Sequence, residues 1–163
     1  MEFGLSLFSQ ESMDLQAQLQ VLRCNEFTQR YGLVLTQAQA RELVATRAQS
    51  LRAAGRVEFG GGVIEKLIAA FCDSPYLSMH NYAETIHALL ETFYYYKSES
   101  EDALTDAQLL EEMRHYFDGN CQGCIELLES RELELLARNI RFGSRPYQDI
   151  WEERCAYLCM EEE

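Results

Sequence analysis

The chain of 163 residues, with 47% apolar and 25% charged side chains, suits one soluble globular domain with a core of ordinary size. Its net charge of −13 argues against a nucleic-acid partner and an anionic membrane surface, because both require basic residues. No apolar run is long enough to cross a bilayer, and the N-terminus lacks the pattern of a signal peptide. We therefore expect a cytoplasmic protein, in which the six cysteines are free thiols or metal ligands.

Apolar residues recur at spacings of three and four along almost the whole chain, which is the pattern of amphipathic helices. Ser12 or Asp14 is the predicted start of the first helix. Thr36 is the predicted cap of the second, with Gln39 as its capping-box partner. The predicted caps of later helices are Ser78, Thr105 and Ser130. The predicted helices cover about 14–32, 36–55, 60–73, 78–97, 105–117, 125–129 and 130–143, and a last one begins at Pro146.

This pattern predicts an all-α fold, in which a single domain over residues 1–163 forms a bundle of seven or eight helices. A minor extended segment near 56–60 is the largest departure that we expect from helical structure. Residues 1–11 are predicted to be a docking or flexible N-terminal segment, and residues 161–163 form an acidic tail.

The segment FDGNCQGCIELLE, residues 117–129, resembles a calcium-binding loop. An EF-hand loop needs alternating oxygen ligands, a glycine at the sixth position for the sharp turn, and a glutamate at the twelfth. Here the first, third, sixth and twelfth positions are Asp118, Asn120, Gly123 and Glu129. Gln122 departs from the pattern at the fifth position, and no second loop follows that could pair with this one.

A zinc site is a second interpretation of the same segment, because four thiolates can complete a tetrahedral site. The four candidate ligands are Cys121, Cys124, Cys155 and Cys159. The last two lie one helical turn apart on a face shared with Trp151 and Leu158, where thiols serve more often as small core residues.

The third interpretation of residues 118–129 is a turn that joins two helices without any ligand. Asn120 or Gly123 supplies the left-handed backbone that a tight turn requires. In that case the next helix begins early, near Cys121, and Glu129 points outward to solvent. We expect this third outcome.

The glycine triplet 60–62 opens a predicted helix and offers backbone N–H groups that could hold an anion. The stretch FGGGVIEK lacks the spacing of a phosphate-binding loop and its trailing Ser or Thr. Close packing of this helix end against another helix is the favoured interpretation.

Four consecutive aromatic residues, Phe93-Tyr94-Tyr95-Tyr96, lie on one predicted helix. Helical residues turn by about 100° each, so the four side chains cover nearly all sides of the helix. Either this helix is central and surrounded, or some of the tyrosines face outward. Because tyrosine combines a large apolar body with a hydroxyl group, Tyr94, Tyr95 and Tyr96 are our candidates for an interaction surface.

Four segments, FGGG, FCDSPY, FYYYK and FDGNCQG, resemble a family of small cytoplasmic bacterial proteins known only as a domain of unknown function. The resemblance covers most of the chain. It implies a small helical domain and transfers no activity, cofactor or catalytic residue to particular positions.

No complete set of catalytic residues is found, so enzyme activity is not predicted. We expect an interaction or scaffolding module that binds a protein partner or a second copy of itself, without a cofactor. The alternative is a metal-dependent sensor or enzyme that binds Ca²⁺ at the loop 118–129 or Zn²⁺ at the four cysteines.

Overall fold

The computed structural model describes residues 2–143, together with residues 152 and 156. Its helices, in chain order, are α1 Glu2–Arg23, α2 Asn25–Thr28, α3 Gln37–Ala54, α4 Gly62–Phe71, α5 Tyr82–Glu99, α6 Asp106–Asp118, α7 Ile125–Leu127 and α8 Leu133–Phe142. A 3₁₀ turn over Gln29–Tyr31 follows α2, and a π-helical turn over Leu128–Glu132 joins α7 to α8. The described part of the chain contains no strand, which confirms the all-α class.

Six of these helices have ten residues or more, so the predicted number of seven or eight is too high for the described residues. The main reason is Ser130, which was predicted to cap a separate helix. Its hydroxyl instead donates a 2.6 Å hydrogen bond to the carbonyl of Glu126, so residues 125–142 form one run through the π-helical turn. The helix predicted from Pro146 lies outside the described residues.

Two predicted starts were wrong, whereas the two capping boxes are present. α1 begins at Glu2 rather than near Ser12, because helical geometry continues upstream of the serine that we expected as a cap. α5 begins at Tyr82 rather than after Ser78, whose N–H donates to the side chain of Asn81. Thr36 accepts a hydrogen bond from the N–H of Gln39 as predicted, and Thr105 does the same at α6.

The core is formed where α5 packs against α3, α4, α6 and α8, while α1 covers α3 and α4. Its largest fully buried side chains include Tyr82, Phe71, Phe93 and Phe117. The segment over residues 56–59, predicted as extended, has no regular secondary structure and connects α3 to α4. None of the helices within residues 2–143 has the length and apolar character needed to cross a membrane.

Phe117 forms a buried aromatic contact between α6 and α4. Its ring packs edge-on against Phe71 at 5.4 Å between centroids and against Tyr76 at 6.2 Å. We expect Phe117→Ala to lower the free energy of unfolding by about 3–5 kcal/mol, because the substitution leaves a cavity in a packed core. Urea denaturation followed by circular dichroism measures this loss. Phe59→Ala, at an exposed phenylalanine, is the control and should change the value by less than about 0.5 kcal/mol.

Candidate functional site

The three tyrosines predicted as an interaction surface point in different directions. Tyr94 and Tyr96 are buried in the core, whereas Tyr95 is 55% exposed. The hydroxyl of Tyr94 donates to Oε2 of Glu58 at 2.6 Å, and the hydroxyl of Tyr96 donates to the backbone carbonyl of Glu129. Of the three predicted residues, only Tyr95 can meet a partner without rearrangement of the core.

The two buried hydroxyls remain protonated donors at neutral pH. Burial, followed by the hydrogen bond to Glu58, raises the pKa of Tyr94. Burial, followed by the negative charge of Glu134, raises the pKa of Tyr96. Both side chains therefore fasten α5 to neighbouring segments by hydrogen bonds that do not depend on pH in the neutral range.

Tyr95 lies between two grooves whose charged side chains are mostly glutamates. One groove, of about 840 Å³, lies between α5 and the segment from Glu126 to Arg138. The other, of about 500 Å³, lies between α5 and α3. Their charged lining consists of Arg138 and five glutamates, Glu91, Glu99, Glu126, Glu129 and Glu134.

We call Tyr95 and these five glutamates the Tyr95 surface. Two of the glutamates are paired, because Glu134 lies 3.2 Å from Arg138 and Glu99 lies 2.9 Å from Arg141. Glu126 and Glu91 are exposed, and Glu91 also lies 3.3 Å from Nδ1 of His87. The surface therefore keeps an excess of negative charge around one exposed aromatic ring.

The predicted calcium ligands are engaged with different partners. Asp118 accepts hydrogen bonds from the hydroxyl of Ser74 at 2.7 Å and from Nε of Arg114 at 2.5 Å. Glu129 lies on the far side of the turn, where its carboxylate accepts a hydrogen bond from Thr92 of α5. Asn120 is exposed. The two carboxylates thus face separate neighbours. Glu129 is an exposed residue, as expected, although its carboxylate also contacts Thr92.

The turn itself is longer than we expected. α7 begins at Ile125, not near Cys121, because the chain first folds back onto the end of α6. In this turn the N–H of Cys121 donates to the carbonyl of Tyr116 at 3.0 Å, and the N–H of Gly123 donates to that of Phe117 at 2.8 Å. Gly123 has a φ of +80°, and a Cβ there would meet the side chain of Tyr76 at 2.6 Å.

Of the four predicted zinc ligands, the structure describes two. Cys121 is buried and Cys124 is exposed, while Cys155 and Cys159 lie outside the described residues. Among the side chains that the structure does describe, no group of three or more His, Cys, Asp or Glu is placed to hold a metal ion.

Arg114, next to the turn, joins the end of α4 to α6. Its guanidinium donates to Asp118, to the carbonyl of Ala70 at 2.5 Å and to Asp73 at 2.6 Å. Burial lowers the pKa of Arg114, but its hydrogen bonds to Asp73 and Asp118 outweigh that effect and raise it overall. A cation of the protein itself therefore occupies the position beside Asp118.

A hydrogen-bonded chain of Thr46, His87 and Glu91 joins α3 to α5. Thr46 Oγ1 lies 2.7 Å from Nε2 of His87, and Nδ1 of His87 lies 3.3 Å from Oε1 of Glu91. The order of groups matches a nucleophile, a base and an orienting acid. However, all three lie within helices, whose interior N–H groups are committed to the helical backbone and cannot stabilise an oxyanion. We interpret the chain as a contact between two helices.

The geometry defines an all-α protein with an acidic, aromatic surface on its central helix. The chain belongs to a Family of unknown function (DUF6323), whose model matches residues 20–146. The resemblance to a family of unknown function is thereby confirmed. Neither the curated proteins nor the solved structures include a significant match to this chain.

The ion pair of Asp73 with Arg114 predicts a specific pH dependence of stability. The hydrogen bond from Arg114 lowers the pKa of Asp73 below its ordinary value of 3.8. A lowered carboxyl pKa stabilises the folded state above that ordinary value, and this stabilisation is lost as the pH falls through the folded-state pKa. We therefore expect Asp73→Asn to destabilise the protein at pH 6 and to have progressively less effect as the pH falls below 4.

Urea denaturation of the wild type and of Asp73→Asn across this pH range measures the effect. The same substitution is also made in an Arg114→Met variant as a control. Without the guanidinium, the effect of Asp73→Asn on the free energy of unfolding should no longer depend on pH. If the free energies of unfolding of wild type and Asp73→Asn differ by the same amount from pH 6 to pH 2, the ion pair of Asp73 with Arg114 does not stabilise the fold as we infer.

The cysteines should differ in reactivity according to their burial. Burial raises the pKa of Cys24 to about 11 and also raises the pKa values of Cys72 and Cys121. Cys124 is exposed. At pH 8 we expect iodoacetamide to label Cys124 well before these three, as mapped by peptide mass spectrometry of the native protein. Uniform labelling after unfolding in urea is the control, and fast native labelling of Cys24 would contradict this placement.

Proposed function

We propose that this protein is an interaction module whose Tyr95 surface binds a basic segment of a partner protein. The observation that carries the proposal is the position of Tyr95, which is exposed between two grooves walled by five glutamates. Arginine and lysine side chains complement both features, because they pair with carboxylates and stack over aromatic rings.

The net charge supports a partner of opposite sign. A chain with a net charge of −13 attracts basic proteins at long range, and this attraction speeds their association. Self-association through the same surface would bring glutamates against glutamates, which opposes binding. A basic segment of another protein is therefore the occupant that we propose, and a second copy of the chain is not.

The surrounding geometry supports a surface that is ready to bind. Tyr96 and Thr92 hydrogen-bond to the backbone and the side chain of Glu129, and this fixes the groove wall relative to α5. Ring contact with Tyr96, at 4.9 Å between centroids, restricts the side chain of Tyr95. A partner would therefore bind with a small loss of conformational entropy.

Tyr95→Ala tests the aromatic part of the proposal. The probe is a fluorescein-labelled peptide with arginines and lysines between apolar residues, and binding is measured by anisotropy. We expect the variant to bind about five- to tenfold more weakly, because it loses a cation–π contact and apolar contact area. Tyr31→Ala, at a similarly exposed tyrosine next to α2, should bind as the wild type does.

The contribution of the groove glutamates is tested with one variant in the groove and one control variant outside it. Glu126→Gln removes one carboxylate from the groove, whereas Glu11→Gln removes one from the exposed side of α1. We expect only Glu126→Gln to weaken peptide binding, by about two- to fivefold, and the affinity of the wild type to fall as salt is raised. No binding of the basic peptide, or equal effects of Tyr95→Ala and Tyr31→Ala, would contradict the proposal.

A further inference from the structure

A second feature, cationic where the Tyr95 surface is acidic, is the buried guanidinium of Arg47 on α3. Only 6% of this residue is exposed, and its Nε and Nη1 atoms have no hydrogen-bond partner among the described residues. Removing a charged group from water costs several kcal/mol unless a counter-ion or hydrogen bonds compensate. An unpaired guanidinium at this depth therefore points to a binding partner that the described part of the chain does not supply.

Arg47 lines a cavity of about 710 Å³ that is bounded by α1, α3 and the segment over residues 56–60. Two further arginines, Arg52 and Arg56, line the same cavity. Arg56 is paired with Asp102, and Nε of Arg52 reaches only the carbonyl of Ala48 at 3.4 Å. Three of the 14 basic residues of the chain are thus gathered at one cavity of a protein that carries 27 acidic residues.

The carboxylates of the cavity have other partners. Glu58 accepts hydrogen bonds from the N–H of Val63 at 2.9 Å and from the hydroxyl of Tyr94. Asp14 accepts one from the side chain of Gln10 at 3.0 Å. Neither carboxylate forms an ion pair with Arg47 in this structure. Nε and Nη1 of Arg47 therefore remain available to a ligand, beside the carboxylate of Glu58.

The glycine triplet places the start of α4 against this guanidinium. Gly62 has a φ of +50°, and a Cβ there would lie 2.5 Å from Oε1 of Glu58 and 2.8 Å from Nη1 of Arg47. Glycine at this position tolerates the positive φ and leaves room for the ends of both side chains beside the backbone. The first turn of α4 carries partial positive charge, which Glu58 offsets by accepting a hydrogen bond from the N–H of Val63, so Arg47 is the cationic group on which the site depends.

We propose that this cavity binds a small organic anion, whose carboxylate or phosphate group pairs with Arg47. A guanidinium forms two parallel hydrogen bonds with either group, and the low polarity of a buried site strengthens them. Arg52 adds charge at the rim. The remaining lining includes the apolar side chains of Met13, Leu51, Val57 and Phe59, so the ligand carries an apolar body beside its anionic group.

Phenyl phosphate and benzoate are suitable probes, because each joins an anionic group to an aromatic ring. Titration calorimetry and thermal unfolding of the full chain are carried out at constant ionic strength, with chloride as the reference and benzylamine as a cation of the same shape. We expect both anions to bind and to raise the melting temperature, whereas benzylamine does neither. Failure of both anions to bind would overturn the proposal.

Arg47→Met tests the role of the guanidinium. We expect the affinity for the anions to fall at least about tenfold, because the buried charge–charge contact is lost. The variant should be at least as stable as the wild type without ligand, since an apolar side chain of similar length replaces an unpaired buried charge. Arg41→Gln, at an exposed position on the same helix, is the control and should bind as the wild type does.

Arg52→Gln provides an independent test at the rim, where folding does not depend on the side chain. We expect a loss of about three- to tenfold in anion affinity. If Arg47→Met does not fold, this variant decides: a loss relative to Arg41→Gln supports the site, and wild-type affinity overturns it. Wild-type affinity in a folded Arg47→Met, or an equal loss in Arg41→Gln, would likewise overturn the proposal. The Tyr95 surface is unchanged in these variants, so its peptide affinity should be retained.

Discussion

Consecutive helical residues point about 100° apart, so the four aromatic residues Phe93–Tyr96 on α5 need cover on nearly every side. The fold meets this constraint by placing α5 at the centre, with α3, α4, α6 and α8 packed around it. Burial of Tyr94 and Tyr96 also removes two hydroxyl groups from water, and each of them requires an acceptor. Glu58 ahead of α4 and the carbonyl of Glu129 in the π-helical turn supply these acceptors. The hydrogen bonds of Tyr94 and Tyr96 thus fix two segments that are far apart in the sequence, one at Glu58 and one at Glu129.

The same hydrogen bonds separate two regions of opposite charge. Glu58 is held by Tyr94 and by the N–H of Val63, and this arrangement keeps its carboxylate out of an ion pair with Arg47. On the other side of α5, Tyr96 and Thr92 hold Glu129 in the wall of an acidic groove. The net charge of −13 alone would not reveal this division, because a sum over all residues hides a cationic cavity within an acidic protein. The two proposed sites therefore differ in both ligand charge and position.

Much of the fold could be predicted from the sequence, because periodicity and caps are local signals. The helix after Thr36 ends at Gly55 as predicted, with a left-handed glycine that completes it. Other features depend on partners distant in sequence. Ser130 has the residue type of a cap, yet its hydroxyl bonds to Glu126, and the helix continues. The glycine triplet was recognised as a helix start with free N–H groups, but its proximity to Arg47 follows from the packing of α3 against α4 and has no signal of its own in the sequence.

The direction in which each tyrosine points could not be predicted from the sequence, because it depends on the neighbouring helices. The pattern of four consecutive aromatic residues left two alternatives open, a helix surrounded on all sides or a helix with some tyrosines facing outward. Which one it is depends on the neighbouring helices: α4 and its preceding loop lie on the side of Tyr94, and the π-helical turn lies on the side of Tyr96. The spacing of Asp118 and Glu129 fails for the same reason. It matches a calcium loop in sequence, but Arg114 and Thr92, both outside that loop, determine where the two carboxylates point. Residue spacing specifies candidate ligands, and only tertiary packing decides whether they share a centre.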